Sequence, residues 1–272
     1  FYFSDYVPKL PGTSVSLVWI GAGEVATHLA GAAAFVLTGL HKPTTAWTTC
    51  LIAALLIVSA VSRAAMLAFV VPIVVVALTL CKLRTLLVVV IAGAAVLAAS
   101  YAIETNLSSH QEARVSMERQ ISVAQVVENA ASIAGQGGAQ TEDTKEWRAK
   151  WWRIIFDNTV HGPYFWTGRG FGVNLAVEDG LASPYSERPL RSPHNAHMTI
   201  LARAGIPGLV LWAVFLLAWF GALFRTMAIA RNRGHTEWAA LMLFIGCYAA
   251  SCIINASFDV ALEAPMQGIW FW

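Results

Sequence analysis

The residues best suited to chemistry lie in the stretch Arg191-Ser192-Pro193-His194-Asn195-Ala196-His197, where a long polar segment meets a long apolar one. Ser192 is a favourable helix N-cap and Pro193 suits the first helical position, so we predict that a helix begins here. His194 and Asn195 would then lie among unpaired backbone N–H groups at the positive end of the helix dipole. That environment favours a neutral imidazole, which can act as a general base, and it also attracts an anion.

Two arginines supply complementary chemistry. Arg63 lies at a tight turn between two apolar stretches, and Arg148 lies four residues before Trp152, which places these two side chains on one helical face. Each arginine alone has an ordinary explanation, since Arg63 can extend to a membrane interface and Arg148 can face water. Guanidinium groups also bind phosphate bidentately and can neutralise a departing diphosphate without a metal ion. Together with His194, they predict a site for a lipid-linked diphosphate.

Other ionisable residues lie at the ends of apolar stretches or inside them. Glu24 with His28, and Asp259 with Glu263, are pairs separated by four residues. Ionisable groups are costly in lipid, so these pairs are candidates for the same site. Arg203 lies within an apolar stretch and needs a carboxylate or backbone partner there.

Two motifs invite a cofactor interpretation that we do not favour. His194 and His197 are one helical turn apart, but no carboxylate or cysteine stands at a suitable spacing, so we expect no metal or other cofactor. The segment Gly168-Arg169-Gly170-Phe171-Gly172 resembles a phosphate loop but lacks a preceding strand and a following Lys-Ser/Thr, which favours a tight turn.

Composition indicates the elements that must position these residues. The 272 residues are 57% hydrophobic and 12% charged, which is typical of a membrane protein. We predict an all-α fold, a polytopic transmembrane helical bundle with a long helical periplasmic loop. Predicted spans cover residues 18–40, 44–61, 64–80, 85–103, 197–224 and 238–257, and another begins at 264. The chain starts without Met and ends within an apolar run, so we expect it to be part of a larger protein.

The distribution of Lys and Arg predicts the orientation. One set of short loops carries Lys42, Lys82, Arg84, Arg225, Arg231 and Arg233, whereas the opposite set carries only Lys9 and Arg63. The first set should be cytoplasmic, in a bacterial inner-membrane protein whose active site faces the periplasm. The predicted organisation is a first group of transmembrane helices at 1–103, a periplasmic loop region at 104–193 and a second transmembrane group at 194–272.

The loop region itself should be largely helical. We predict one helix over 109–134, a break at 135–138 and a second helix over 141–160. The second helix carries Trp147, Trp151 and Trp152, a stripe that suits a helix lying on the membrane surface.

Taken in order, these motifs resemble the O-antigen ligase/O-antigen polymerase superfamily of bacterial membrane proteins. His194-Asn195 followed by Gly205-x-x-Gly208 resembles the ligase signature, and Ser62-Arg63 resembles the family's Ser-Arg after an apolar span. Further segments that resemble the family pattern are Arg148-x-x-x-Trp152, Gly162-Pro163, Gly168-x-Gly170-x-Gly172, Phe258-Asp259, Leu262-Glu263 and Pro265.

The resemblance implies a metal-independent, inverting transfer of a glycan from undecaprenyl diphosphate to the lipid A–core oligosaccharide, among membrane lipids. His194 would be the base, and Arg63 and Arg148 would hold the diphosphate. The implied substrate-binding residues are Asn195, Arg191, Trp152, Asp259 and Glu263. A nucleic-acid partner is not expected, because the net charge is only +2 and no basic cluster occurs.

Two alternatives remain open on the sequence. Polymerisation of repeat units, or their transfer to protein hydroxyls, would use the same donor. A transporter or channel would instead place Glu24, Arg203 and Asp259 along a path, with discontinuous helices meeting at the membrane midplane. The grouping of charges at one outer surface favours the enzyme.

Overall fold

A computed structural model describes residues 21–84, 122–133, 139–182 and 190–263, together with 8, 9, 11, 87, 91, 93–95, 98, 99, 102, 135, 268 and 271. These residues form helices and turns without a β-strand, as the all-α prediction requires. The helices are α1 (Ala22–Leu37), α2 (Thr45–Val61), α3 (Arg63–Thr79), α4 (Val123–Ile133), α5 (Ala139–Val160), α6 (Leu175–Glu178), α7 (Ala196–Asn232) and α8 (Thr236–Ala256). Most of the predicted fourth span, and residues 109–121 of the first loop helix, lie outside the described residues.

Helices α1, α3 and α8 pack into one bundle because small residues allow their backbones to approach closely. A Cβ atom at Gly31 would lie 2.4 Å from the ring of Tyr248, and one at Gly23 would lie 1.9 Å from Asn255 Oδ1. The core between the three helices contains Ala30, Ala33, Ala34, Phe69, Ile73, Val76, Leu243 and Cys247.

Two of the described helices, α7 with 37 residues and α8 with 21, are long and apolar enough to cross a membrane. Helices α1, α2 and α3 are also apolar, but they have only 16 or 17 residues each, below the roughly 20 needed for a full crossing. The basic connection that we predicted around residues 225–233 is wrong in part. Arg225 and Arg231 lie on the last turns of α7, and only residues 233–235 join it to α8.

A sharp kink at Gly205 divides α7. Gly205 has a φ of 68° and a ψ of −168°, a conformation that requires glycine, and Pro207 follows without a backbone N–H. Residues 163–173 pack against the break and pair with its backbone groups. The backbone hydrogen bonds are Arg169 N to Ala202 O at 2.8 Å, Gly170 N to Arg203 O at 2.9 Å and Ile206 N to Phe165 O at 2.9 Å.

The side chain of Arg203, on α7, also binds this loop. Its side chain is 8% exposed and donates to the carbonyl oxygens of Gly170, Phe171 and Val173 at 3.0 to 3.3 Å. The predicted need of Arg203 for a backbone partner is confirmed. The glycine-rich segment is a turn, as predicted, and its close contact with α7 explains Gly168, where a Cβ atom would lie 2.3 Å from the Arg203 backbone.

The apolar stripe of α5, which we predicted to suit a membrane surface, packs in part against protein. Trp151 and Ile155 are fully buried and pack with Leu201 and Ala202 of α7 and with α6. The Trp151 indole also donates to Asp179 Oδ2 at 2.7 Å. The apolar stripe exists because it covers the first turns of α7, and amphipathicity alone does not distinguish this protein contact from a lipid one.

Candidate active site

The turn before α7 carries His194, and it differs from the predicted helix start. Ser192 is buried and its Oγ has no hydrogen-bond partner among the described residues, so it is not the N-cap. The N-cap is Asn195, whose Oδ1 accepts from His197 N at 2.9 Å and from Met198 N at 3.0 Å. His194 therefore precedes the helix, with a φ of 51° that a non-glycine residue adopts only at a cost of roughly 1–3 kcal/mol.

Tryptophans of α5 hold this turn in place. The Trp152 indole donates to Pro193 O at 3.0 Å, and the Trp147 ring lies edge-on to His194 with 6.3 Å between ring centroids. Arg148 precedes Trp152 by one helical turn and therefore shares this face of α5.

Asp259 pairs with His194 from the segment that follows α8. His194 Nδ1 lies 3.4 Å from Asp259 Oδ1, and the two side chains are 33% and 44% exposed. Burial raises the pKa of Asp259. Hydrogen bonds from His194 and from the Val260 backbone, together with the nearby charges, lower this pKa by more than burial raises it, so the net pKa lies below its usual value. An ionised carboxylate can only accept, so His194 Nδ1 is the donor in this pair, and in a neutral ring Nε2 would then hold the lone pair.

Arg148 joins this pair through its charge. Burial lowers the pKa of Arg148, the charge of Asp259 raises it and the charge of Arg63 lowers it again. The Arg148 Nε atom is buried and has no hydrogen-bond partner in the described part of the chain. A buried, unpaired guanidinium N–H is poised to bind an anionic oxygen such as that of a phosphate.

Arg63 completes the cationic side of the site. It is the first residue of α3, after the N-cap Ser62, and its Nη1 donates to Ser132 Oγ on α4. Its charge is the smallest of the three effects on the pKa of Arg148, after burial and the charge of Asp259, which places the two guanidinium groups within Coulombic range of each other. Asp259 and Arg63, which lie far apart along the chain, thus both act on Arg148 through their charges, and Asp259 also contacts His194.

The other predicted site residues differ in placement. Asn195 is 7% exposed and its carbonyl oxygen is committed to the helix cap. Arg191 and Glu263 are exposed, and within the described ranges neither forms a side-chain hydrogen bond or ion pair with the residues above. Glu24 lies within Coulombic range of Asp259, while its Oε2 accepts from the backbone N–H of Gly21 at 2.9 Å.

Both ring nitrogens of His197 form hydrogen bonds with neighbouring side chains. Its Nδ1 accepts from the Trp212 indole at 3.0 Å, and its Nε2 lies 3.1 Å from Ser257 Oγ, which itself donates to Ile253 O. The Nε2 contact therefore ties the start of α7 to the end of α8, and the Nδ1 contact ties the parts of α7 on either side of the kink. The described residues contain no group of three His, Cys, Asp or Glu side chains that could hold a metal ion.

The arrangement combines a base with an anion site. An imidazole whose free Nε2 is oriented by a carboxylate can take a proton from a hydroxyl group. The two guanidinium groups beside it can stabilise negative charge that develops on a departing phosphate. What we missed from the sequence is the pairing of Asp259 with His194 and the contacts of Trp147 and Ser132, because these partners are distant in sequence and no local spacing marks them.

Comparison with known proteins agrees with this chemistry. One protein-family model, described as O-antigen ligase, matches residues 48–213, which is more than half of the chain. The matched range includes Arg63, Arg148, His194 and Gly205-x-x-Gly208, and it ends before Asp259. No curated protein and no solved structure matches the chain.

Proposed function

The chain belongs to the O-antigen ligase family, whose members are ligase- and polymerase-type glycosyltransferases, and we propose that it is a ligase. The proposed reaction moves an O-antigen glycan from undecaprenyl diphosphate to the lipid A–core oligosaccharide at the periplasmic face of the inner membrane. It requires no metal ion, because guanidinium groups provide the positive charge.

In the proposed reaction His194 acts as the general base. Its Nε2 takes the proton from an acceptor hydroxyl group while that oxygen attacks the anomeric carbon of the donor sugar. The bond between this carbon and the diphosphate oxygen breaks with its electron pair, so the configuration inverts and undecaprenyl diphosphate leaves. Asp259 accepts from Nδ1 throughout and stabilises the imidazolium that forms.

Arg63 and Arg148 act on the leaving group. Negative charge on the diphosphate increases as the glycosidic bond breaks, so cations that are already in place stabilise the transition state more than the ground state. The unpaired Arg148 Nε gives the diphosphate a hydrogen-bond donor that the described residues leave unused.

One observation carries the proposal: the His194–Asp259 pair lies within Coulombic range of Arg148, and Arg148 lies within range of Arg63. In the proposed mechanism these residues, from four separate stretches of chain, supply the base, its orienting carboxylate and two diphosphate ligands. A separate observation makes transport a weaker alternative. Arg203, which a transporter would place along its path, instead donates hydrogen bonds to loop carbonyl groups.

The test uses His194→Ala and Arg63→Ala in the full-length protein, with glycan transfer assayed in membranes. Each variant should lose about 10²-fold or more of the activity, the usual contribution of a general base or a transition-state donor. His161→Ala and Arg153→Ala are matched controls, because both residues are exposed in or beside α5 and should retain normal transfer. Normal transfer by both test variants would refute these roles.

Analysis of the products separates the ligase from its relatives. Capped lipopolysaccharide indicates a ligase, elongated carrier-linked chains indicate a polymerase, and glycoprotein indicates a protein O-oligosaccharyltransferase. The two latter products would contradict the proposed acceptor but would leave the proposed donor chemistry intact.

A further inference from the structure

Helix α4 lies across the turn that carries Arg63. Asn129 Nδ2 donates to Ser59 O at 2.8 Å and to Ala60 O at 2.9 Å. These carbonyl groups belong to the last turn of α2, where backbone oxygens have no partner within their own helix. Since Asn129 is only 7% exposed, this pair of hydrogen bonds docks α4 firmly on the end of α2.

Ser132 extends the same face of α4 to the arginine. It follows Asn129 by three residues, so the two side chains are neighbours on the helix surface. Its Oγ accepts a hydrogen bond from Arg63 Nη1 across 69 positions of the chain. A cation at the first residue of a helix faces the positive end of the dipole, so Arg63 gains little support from α3 itself.

The Arg63 guanidinium group also needs to be held against repulsion. Its charge acts on Arg148, and two like charges at close range move apart unless other contacts fix them. A hydrogen bond to the Ser132 hydroxyl directs one edge of the guanidinium group. A hydroxyl is a neutral partner, so this contact adds no negative charge that would compete with an anion.

We propose that α4 is a positioning element of the donor site. Asn129 docks the helix on α2, and Ser132 holds the Arg63 guanidinium at a fixed distance from Arg148, so that the pair is preorganised for the diphosphate of the carrier lipid. Ser132 is a positioning residue, because it acts through Arg63. This inference rests on the proposed function, in which the two arginines bind the diphosphate.

The test measures the affinity of the purified full-length protein in nanodiscs for undecaprenyl diphosphate. Ser132→Ala should weaken binding about tenfold, since a hydrogen bond to a charged group contributes about that much. Ser132→Thr keeps the hydroxyl group and should bind nearly as well as the unaltered protein. Val127→Ala is the matched control, because Val127 lies on the same helix and is 44% exposed, and it should leave the affinity unchanged.

A double-mutant cycle shows whether Ser132 acts through Arg63. Arg63→Gln should weaken binding by itself, and adding Ser132→Ala to it should weaken binding no further. Unchanged affinity in Ser132→Ala would overturn the inference, as would an equal loss in Ser132→Thr or a full additional loss in the Arg63→Gln background.

The inference and the proposed function fail in different ways. If the unaltered protein does not bind undecaprenyl diphosphate, or if Arg63→Gln binds it normally, the proposed donor site is wrong and the inference falls with it. If Arg63→Gln weakens binding and Ser132→Ala does not, only the role of α4 is wrong.

Discussion

His194 owes its usefulness to a backbone conformation that its neighbours impose. A positive φ places it before the helix, where its ring meets Asp259 on one side and Trp147 on the other. The conformation is unfavourable for a β-carbon-bearing residue and is held by the Asn195 cap and the Trp152 hydrogen bond to Pro193. Fixing of this turn by its neighbours would suit the role of general base that we propose for His194.

Asp259→Asn tests this pairing through the rate of transfer. The pKa of Asp259 lies below its usual value because its hydrogen bonds and the nearby positive charges outweigh its burial, so the carboxylate is ionised at neutral pH. Asparagine keeps the size of the side chain but removes the negative charge that lies 3.4 Å from the His194 imidazole and orients it. The loss of orientation should lower kcat/KM roughly 10²-fold.

Measurement of kcat/KM at neutral pH in both proteins checks this prediction. An unchanged kcat/KM in Asp259→Asn would show that Asp259 does not act on the base. Asp157→Asn is the matched control, because Asp157 is exposed on the far part of α5, and its kcat/KM should match that of the unaltered protein.

The element that sets the position of the His194 turn is α7. It breaks at Gly205, and a loop from another part of the chain provides hydrogen-bond partners for the backbone groups at the break. Three backbone hydrogen bonds and the Arg203 side chain replace the helical bonds lost at the break. The short first part of α7 can thereby turn back, and Trp212 beyond the kink reaches His197 before it. Without the break, the His194 turn would not lie beside the end of α8.

Gly205→Ala should therefore destabilise the protein by roughly 1–3 kcal/mol. A Cβ atom there would lie 2.5 Å from Phe165 O, and the φ of 68° is strained for alanine. Thermal unfolding in detergent should give a clearly lower Tm. Gly221→Ala, in the same helix, has nothing within 4 Å of its added Cβ and should keep or slightly raise the Tm. Equal Tm values for the two variants would contradict the role assigned to the kink.

At the scale of the molecule, the bundle has two chemically different ends. One end gathers the start of α1, the turn between α2 and α3, the start of α7 and the end of α8, and it holds Arg63, His194 and Asp259. At the opposite end of α1 and α3, Lys82 Nζ donates to Leu37 O at 2.8 Å. Separation of this kind suits a catalytic surface on one side of a membrane and a basic surface on the other.

The predicted orientation is tested by labelling single cysteines in a background without the four native ones. Trp166→Cys lies on the loop beside the kink, where the native side chain is 75% exposed, and an impermeant maleimide should label it in intact cells. Arg233→Cys lies in the connection between α7 and α8 and should react only after the membrane is opened, because the basic loops are expected in the cytoplasm. The reverse pattern would place the site in the cytosol and contradict the proposed function.

The sequence by itself determined what local spacing and residue chemistry can determine. Arg148 and Trp152 share a face of α5, as their four-residue spacing required, and Gly168 to Gly172 form a turn. The need of Arg203 for a backbone partner followed from the cost of a charge in an apolar stretch. These inferences are confirmed because each depends on neighbours along the chain or on one residue's solvation. Family motifs predicted the chemistry of the site, and the roles of its residues stay predictions.

Only the tertiary structure decided which distant groups meet. The sequence placed the helix start at Ser192, whereas packing of Trp152 against Pro193 and the Asn195 cap moved it three residues onward. The burial of Trp151 against α7 could not be predicted from the sequence either, because the same apolar stripe can cover protein or lipid. Asp259 reached His194 across 65 positions through the kink and the pairing of α7 with α8, and no local pattern encodes such a contact.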